Sequence, residues 1–222
     1  MTEPVVETPV RTNREESVIE WLQRNARLLT ISAVVVAVGG AGYWFYARSV
    51  QIRDQNAERA LNTALQSVGA GNAALAVSDL NKVVDRYSNT QSGIEAGMLL
   101  AQMNYNAGKV QAGIAVLQKL LPSSAASMDM PDIYGLIGDG QMQSNKPADA
   151  AQSYQKAADA AKADDYKAYQ LSKAARAFLA AHDTATATKI WEKLADDPKA
   201  QGVAAEARVR LGEVQAKPAS KG

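Results

Sequence analysis

Residues Tyr134–Ala157, YGLIGDGQMQSNKPADAAQSYQKA, decide how this chain folds. Small side chains at Gly138 and Ala150 lie on either side of a turn centred on Asn145, and a large one follows at Tyr154. Two antiparallel helices cross closely only where both carry small side chains, and a large side chain on the second then fills the gap to the next pair. Asn tolerates the unusual backbone angles that such a turn requires. The stretch therefore predicts a helical hairpin.

Working outward, the same pattern recurs. The turns in VGAGNAALAV, YNAGKVQAGIAVL and AHDTATATKIW place Gly71, Gly108 and His182 where Asn145 stands, each anchor 37 residues from the next. Seven residues before the anchors come Ala64, Ala101, Gly138 and Ala175; five after come Ala76, Gly113, Ala150 and Ala187. All are Ala or Gly. Nine after come the large Leu80, Leu117, Tyr154 and Trp191, and twelve after come the apolar Val83, Leu120, Ala157 and Leu194. A fixed period of this size marks an array of repeated supersecondary units. His182 reads as a turn residue rather than a ligand. A further amphipathic segment, Val203 to Val214, carries Ala204, Ala207, Leu211 and Val214 and is expected to cap the stack, with Ser123 to Pro131 as the most irregular loop.

The region from residue 54 onward is rich in alanine and has no period-two runs of Val, Ile and Thr, so it reads as all-α. Its acidic and basic residues balance, which removes any strong electrostatic reason to seek nucleic acid. The absence of cysteine excludes disulfides, thiol nucleophiles, cysteine zinc sites and a cysteine-linked lipid anchor. A single histidine cannot build a His-based metal cluster. No phosphate-binding loop, GxGxxG, HExxH or GxSxG motif is present. The pairs Asp164-Asp165 and Asp196-Asp197 read as solvated helix ends. No cofactor, no small-molecule substrate and no enzymatic activity are expected, and no stretch of the 222 residues is left over for a catalytic domain.

The N-terminal part has a different character. Leu28 to Tyr46, LLTISAVVVAVGGAGYWFY, holds no charged residue, is bounded by Arg27 and Arg48, and ends in four aromatic side chains. As a helix it measures about 28 Å, the thickness of a bilayer's hydrocarbon core. Aromatic rings favour the membrane–water interface. It is expected to span a membrane once. A buried core helix would not need the aromatic terminus, and a cleaved signal sequence usually has a shorter leader with fewer acids than Glu3, Glu7, Glu15, Glu16 and Glu20, although the small residues Gly39 and Ala41 match a cleavage site and keep it as the rival. Residues 1–13 are expected to be a disordered leader, 14–27 an amphipathic juxtamembrane helix, 28–46 the span and 215–222 a frayed tail. Arg11, Arg14, Arg24 and Arg27 before the span against Arg48, Arg53 and Arg59 after it give a slight lean towards a cytoplasmic N-terminus. No Gly or Pro occurs between Tyr46 and Gly69, so the spanning helix is expected to continue into the repeats. Ala33, Ala37 and Ala41 recur every four residues beside Gly40 and form a small-residue face of the kind that lets helices approach in lipid.

The repeat resembles the tetratricopeptide repeat (TPR). Tyr134, Ile137-Gly138, Asn145, Ala150, Tyr154 and Ala157 follow that family's spacing most closely, then Phe178, Ala187, Trp191 and Pro198. The first two units are degenerate, and the period is longer than the family's usual one. The resemblance implies an all-α chain: one transmembrane helix, then a right-handed α-solenoid of about four TPR-like hairpins over residues 54–214, ending in a capping helix. It also implies a groove lined by the first helix of each hairpin. At positions 13, 10, 6, 3 and 2 before the anchors, that face holds Glu95, Met98, Gln102, Tyr105 and Asn106 in the second unit. In the third it holds Asp132, Gly135, Asp139, Met142 and Gln143, and in the fourth Tyr169, Ser172, Arg176, Leu179 and Ala180. The cationic set by which some TPR proteins clamp a terminal carboxylate is missing, so apolar or unfolded segments or a membrane-protein partner are expected instead. Met98, Tyr105 and Met142 fit equally well as packing between hairpins. The whole layout, from REESVIEWLQRNARLL through YWFY to the alanine-rich repeats, resembles the bacterial ancillary subunit family of the Sec translocon. That resemblance implies a single-pass inner-membrane scaffold with a periplasmic domain, and translocon subunits, periplasmic chaperones or clients as partners. An assembly factor for another envelope complex, such as cytochrome maturation or the divisome, is the alternative, and an envelope enzyme with a TPR appendage is a more remote one.

Overall fold

The computed structural model describes residues 20–123 and 126–216. The expected leader, the start of the juxtamembrane helix and the tail beyond residue 216 lie outside the described residues. Every regular element among the described residues is helical. After a short helical stretch at residues 20–24 come α1 (Ala26–Gly69), α2 (Ala73–Tyr87), α3 (Gln91–Asn106), α4 (Val110–Leu120) and α5 (Ala126–Gln143). Then follow α6 (Pro147–Ala160), α7 (Asp164–Ala180), α8 (Thr184–Asp196) and α9 (Gln201–Ala216). The chain divides into two compact units, Met1–Ile52 and Arg53–Gly222.

In the first unit α1 is apolar and bare. It is the one helix among the described residues that is long and apolar enough to cross a membrane, and none of its apolar window is buried. A buried core helix is therefore not what this segment forms. The Thr30 and Ser32 hydroxyls donate back to the carbonyls of Ala26 (2.7 Å) and Leu28 (2.8 Å), so their polar atoms are satisfied within the helix. α1 has no break at residues 46–69, as the lack of Gly and Pro there requires.

In the second unit α1 buries Ala57, Leu61, Ala64 and Ser67, a stripe at helical spacing. From α2 onward each helix packs on the next, α3 also packs on α5, and α7 on α9. The turns explain this regularity. Gly71, Gly108, Asn145 and His182 all have left-handed backbone, with φ of 72°, 72°, 56° and 64°. At each one, the anchor's N–H donates to the carbonyl three residues back, and the next residue's N–H donates to the carbonyl five back. The pairs at Gly108, for example, are Gly108 to Tyr105 (3.0 Å) and Lys109 to Asn104 (2.8 Å). That is a Schellman ending, which closes the open carbonyls of one helix and leaves the following residue as N-cap of the next. Asn72 and Asp183 cap with their side chains, accepting from Leu75 (3.1 Å) and Thr186 (3.0 Å); Lys146 instead precedes Pro147 at the first helical position.

All sixteen positions expected to be small, large or apolar around the anchors are buried. A Cβ added at Gly138 would lie 2.5 Å from the Tyr154 ring, and one at Gly113 would lie 2.8 Å from the Ala101 carbonyl, so the close crossings leave no room for a larger residue. Leu61, Leu80, Leu100, Leu117 and Ile133 form one core, and Trp191 and Leu194 centre another that includes Ala207 of α9. The irregular loop expected at Ser123 to Pro131 is a correction: α5 already begins at Ala126, and Pro131 lies inside it. Proline lacks an N–H and usually marks a helix start or a loop, which is why the sequence hid these turns of helix.

Candidate functional site

Helices α3, α5 and α7 carry three adjoining cavities of about 570, 410 and 460 Å³. The largest takes in Glu95, Met98, Gln102, Asp139 and Tyr169 of the expected groove, with Asp132 and Gly135. Tyr105, Asn106, Met142 and Gln143 line the second, and Arg176 joins Met142 and Tyr169 in the third. Twelve of the fifteen residues selected by register on the first helices thus line one run of adjoining cavities; Ser172, Leu179 and Ala180 do not line these three.

Their roles within it differ. Tyr105 is buried, and its hydroxyl donates to the Leu136 carbonyl of α5 at 3.1 Å. It is a packing residue between neighbouring helices. Burial, reinforced by the charge of Asp139, pushes its pKa well above the usual phenol value. Met98 is half-buried against the core, whereas Met142 and Tyr169 are exposed. Ser172 is a correction: it is buried, and its hydroxyl donates to Glu206 of α9 at 3.0 Å. Glu206 also pairs with Arg176 at 3.6 Å, so the one cation expected in the groove is already partnered. α9 packs on both α7 and α8. Ala33, Ala37 and Ala41 are exposed on α1 in the other unit, and a Cβ at Gly40 would meet nothing within 4 Å.

Several residues that shape the face escaped the sequence reading. Lys173 is largely buried and pairs with Asp139 at 2.7 Å, with its ammonium 4.6 Å from the centre of the Tyr154 ring. Tyr154 donates to the same carboxylate at 2.6 Å, and burial, then this bond, raises its pKa strongly. Tyr166 donates to Asp132, and the Gln170 amide nitrogen donates to the Tyr166 oxygen at 2.8 Å. Burial, then the bond to Asp132, raises the Tyr166 pKa. Lys173, Tyr166 and Gln170 sit at spacings on α7 that the family's groove positions do not include. Among the described residues no three His, Asp or Glu side chains gather as a metal site.

The model of the tetratricopeptide repeat-like domain family matches residues 20–136, just over half of the chain. The chain belongs to that family. The TPR-like match takes in the apolar segment and ends inside α5, so it covers the two units that seemed degenerate and stops short of most of the two that follow the repeat spacing best. No curated protein matches the chain significantly. TPR-like domains typically serve as non-enzymatic scaffolds for protein partners.

Proposed function

We propose that this chain is a membrane-anchored TPR scaffold whose first-helix face receives a protein partner. The observation that carries the reading is that twelve of the fifteen register-selected residues, from Glu95 to Arg176, line one run of cavities. Concave surfaces lined by adaptable side chains such as Met suit extended protein segments. On this reading four TPR-like hairpins and the α9 cap form a right-handed solenoid over residues 54–214. Residues 28–46 cross the bacterial inner membrane once, with the N-terminus cytoplasmic and the repeats periplasmic. Support for the anchor comes from the uncovered apolar surface of α1, since exposed apolar area of this extent is otherwise a strong liability in water. Ala33, Ala37 and Ala41 serve as a packing face for another membrane helix. The layout favours a place beside the Sec translocon and its periplasmic chaperones, with no catalytic step of its own.

A photo-crosslinking residue at Gln102 or Met142, followed by purification in mild detergent and mass spectrometry, tests this. Adducts to translocon subunits or periplasmic chaperones are expected. Adducts only to another envelope complex would move the chain to that assembly, and no protein adduct at either position would sink the scaffold reading. Alkaline phosphatase fused after Gly222 should be active; an inactive fusion would put the domain in the cytoplasm.

A further inference from the structure

The largest cavity carries an acceptor with nothing to accept. Gln170 is 2 % exposed, and its Oε1 has no hydrogen-bond partner among the described residues. The orientation of this amide follows from its neighbours. Tyr166 spends its single proton on Asp132, so its oxygen can only accept, and Gln170 must turn its nitrogen towards it. Gln170 lines this cavity beside Gly135, where an added Cβ would lie 2.8 Å from the amide nitrogen and 3.3 Å from its oxygen. A buried acceptor left unpaired is costly, and a donor from a ligand recovers that cost.

The charges around it are one-sided. Glu95, Asp132 and Asp139 line this cavity, and the one cation in its wall, Lys173, is already held by Asp139. Among the described residues Glu95 has no ion-pair partner, and it is exposed. Met98 and Tyr169 supply apolar surface beside the acids.

We propose that this groove, on the scaffold reading above, takes an extended segment carrying Lys or Arg next to an apolar side chain. The basic group lies against Glu95 and Asp132, the apolar one against Met98 and Tyr169, and one backbone N–H of the segment donates to Gln170 Oε1. The preference is the reverse of a groove that clamps acidic tails.

Three nonapeptides test it against the full chain in nonionic detergent, by fluorescence anisotropy with empty micelles as blank. One alternates Leu with Lys, one Leu with Gln and one Leu with Glu. The Lys peptide should bind at least about tenfold more tightly than the Gln peptide and lose that advantage at high salt, with the Glu peptide weakest. Glu95→Lys should abolish the advantage while leaving the thermal midpoint in place. N-methylation along the Lys peptide should weaken binding sharply at one backbone position, and Gln170→Met should erase that sensitivity. If Gln170→Met fails to fold, Glu95→Lys and the methylation scan still decide the matter. Equal binding of all three peptides, or an unaffected Glu95→Lys variant, overturns the basic preference and leaves the groove as a protein site. No binding by any peptide overturns both.

Discussion

One helix, α1, carries two stretches built for different surroundings. Between Leu28 and Tyr46 its large side chains are bare: Val36 is 72 % exposed and Tyr43 74 %. Between Ala57 and Ser67 it shows one buried stripe, with Leu61 at 5 % and Ala64 at 0 %. The backbone is helical in both. Side-chain pattern alone separates them, because a helix apolar on every side suits lipid and a helix apolar on one stripe suits a protein core. A single helical assignment thus covers two patterns of exposure, and local secondary structure says little about which one a residue has.

Substitutions in the two stretches separate them experimentally. Leu61→Ala should cost about 2–5 kcal/mol, since it empties a site in the packed core, and should lower the thermal midpoint of the full chain in detergent. Val35→Ala, in the bare stretch, should leave that midpoint within about 0.5 kcal/mol of the original. Equal losses would erase the distinction. Insertion reads the other side of it. Val36→Arg puts a charge near the middle of the apolar run, at about 2.5–3.5 kcal/mol on the insertion scale. The membrane fraction surviving carbonate extraction should fall. A parent chain that carbonate itself releases would mean that Leu28–Tyr46 is not a span.

Much of the repeat unit was legible because its constraints are local and periodic. A Schellman turn demands left-handed backbone at one position, so Gly71, Gly108 and Asn145 announced it, and the fixed interval then drew in His182, a weaker turn signal than Gly or Asn. Close crossings demand Ala or Gly, which is why Gly138 could be placed before Tyr154 was seen beside it. The groove was legible only as a face. Its charge balance depends on pairs such as Lys173–Asp139 and Arg176–Glu206, whose members lie more than 25 residues apart and on different helices. Pro131 misled for the opposite reason: a strong local signal was overridden by the helix around it.

The turns sharpen the comparison at a smaller scale. His182 bears a left-handed conformation that costs a residue with a Cβ about 1–2 kcal/mol. His182→Gly should therefore raise stability, by up to about 1 kcal/mol once the freer unfolded chain is counted, and Gly108→Ala should lower it by a similar amount. Denaturant midpoints of the two variants should move in opposite directions. Movement in the same direction would mean that these residues act through something besides backbone angle.

The smallest effect expected is alkaline, and it belongs to the packed unit. Tyr105, Tyr154 and Tyr166 each have a pKa raised chiefly by burial, with Asp139 or Asp132 adding to the rise. The phenol of an unfolded chain ionises near pH 10, at about the ordinary value. Between that pH and the raised folded values the unfolded state has lost protons that the folded state keeps, so stability falls as pH rises. Below about pH 9 both states are protonated and the slope vanishes. Denaturant midpoints should accordingly be level from pH 7 to 9 and decline above 10. Tyr154→Phe should lose about 1 kcal/mol at neutral pH, because the bond to Asp139 goes, and should show a shallower decline above pH 10. An unchanged alkaline slope in that variant would mean that the Tyr154 hydroxyl is not held protonated by the fold, and the Asp139 cluster would lose its central bond.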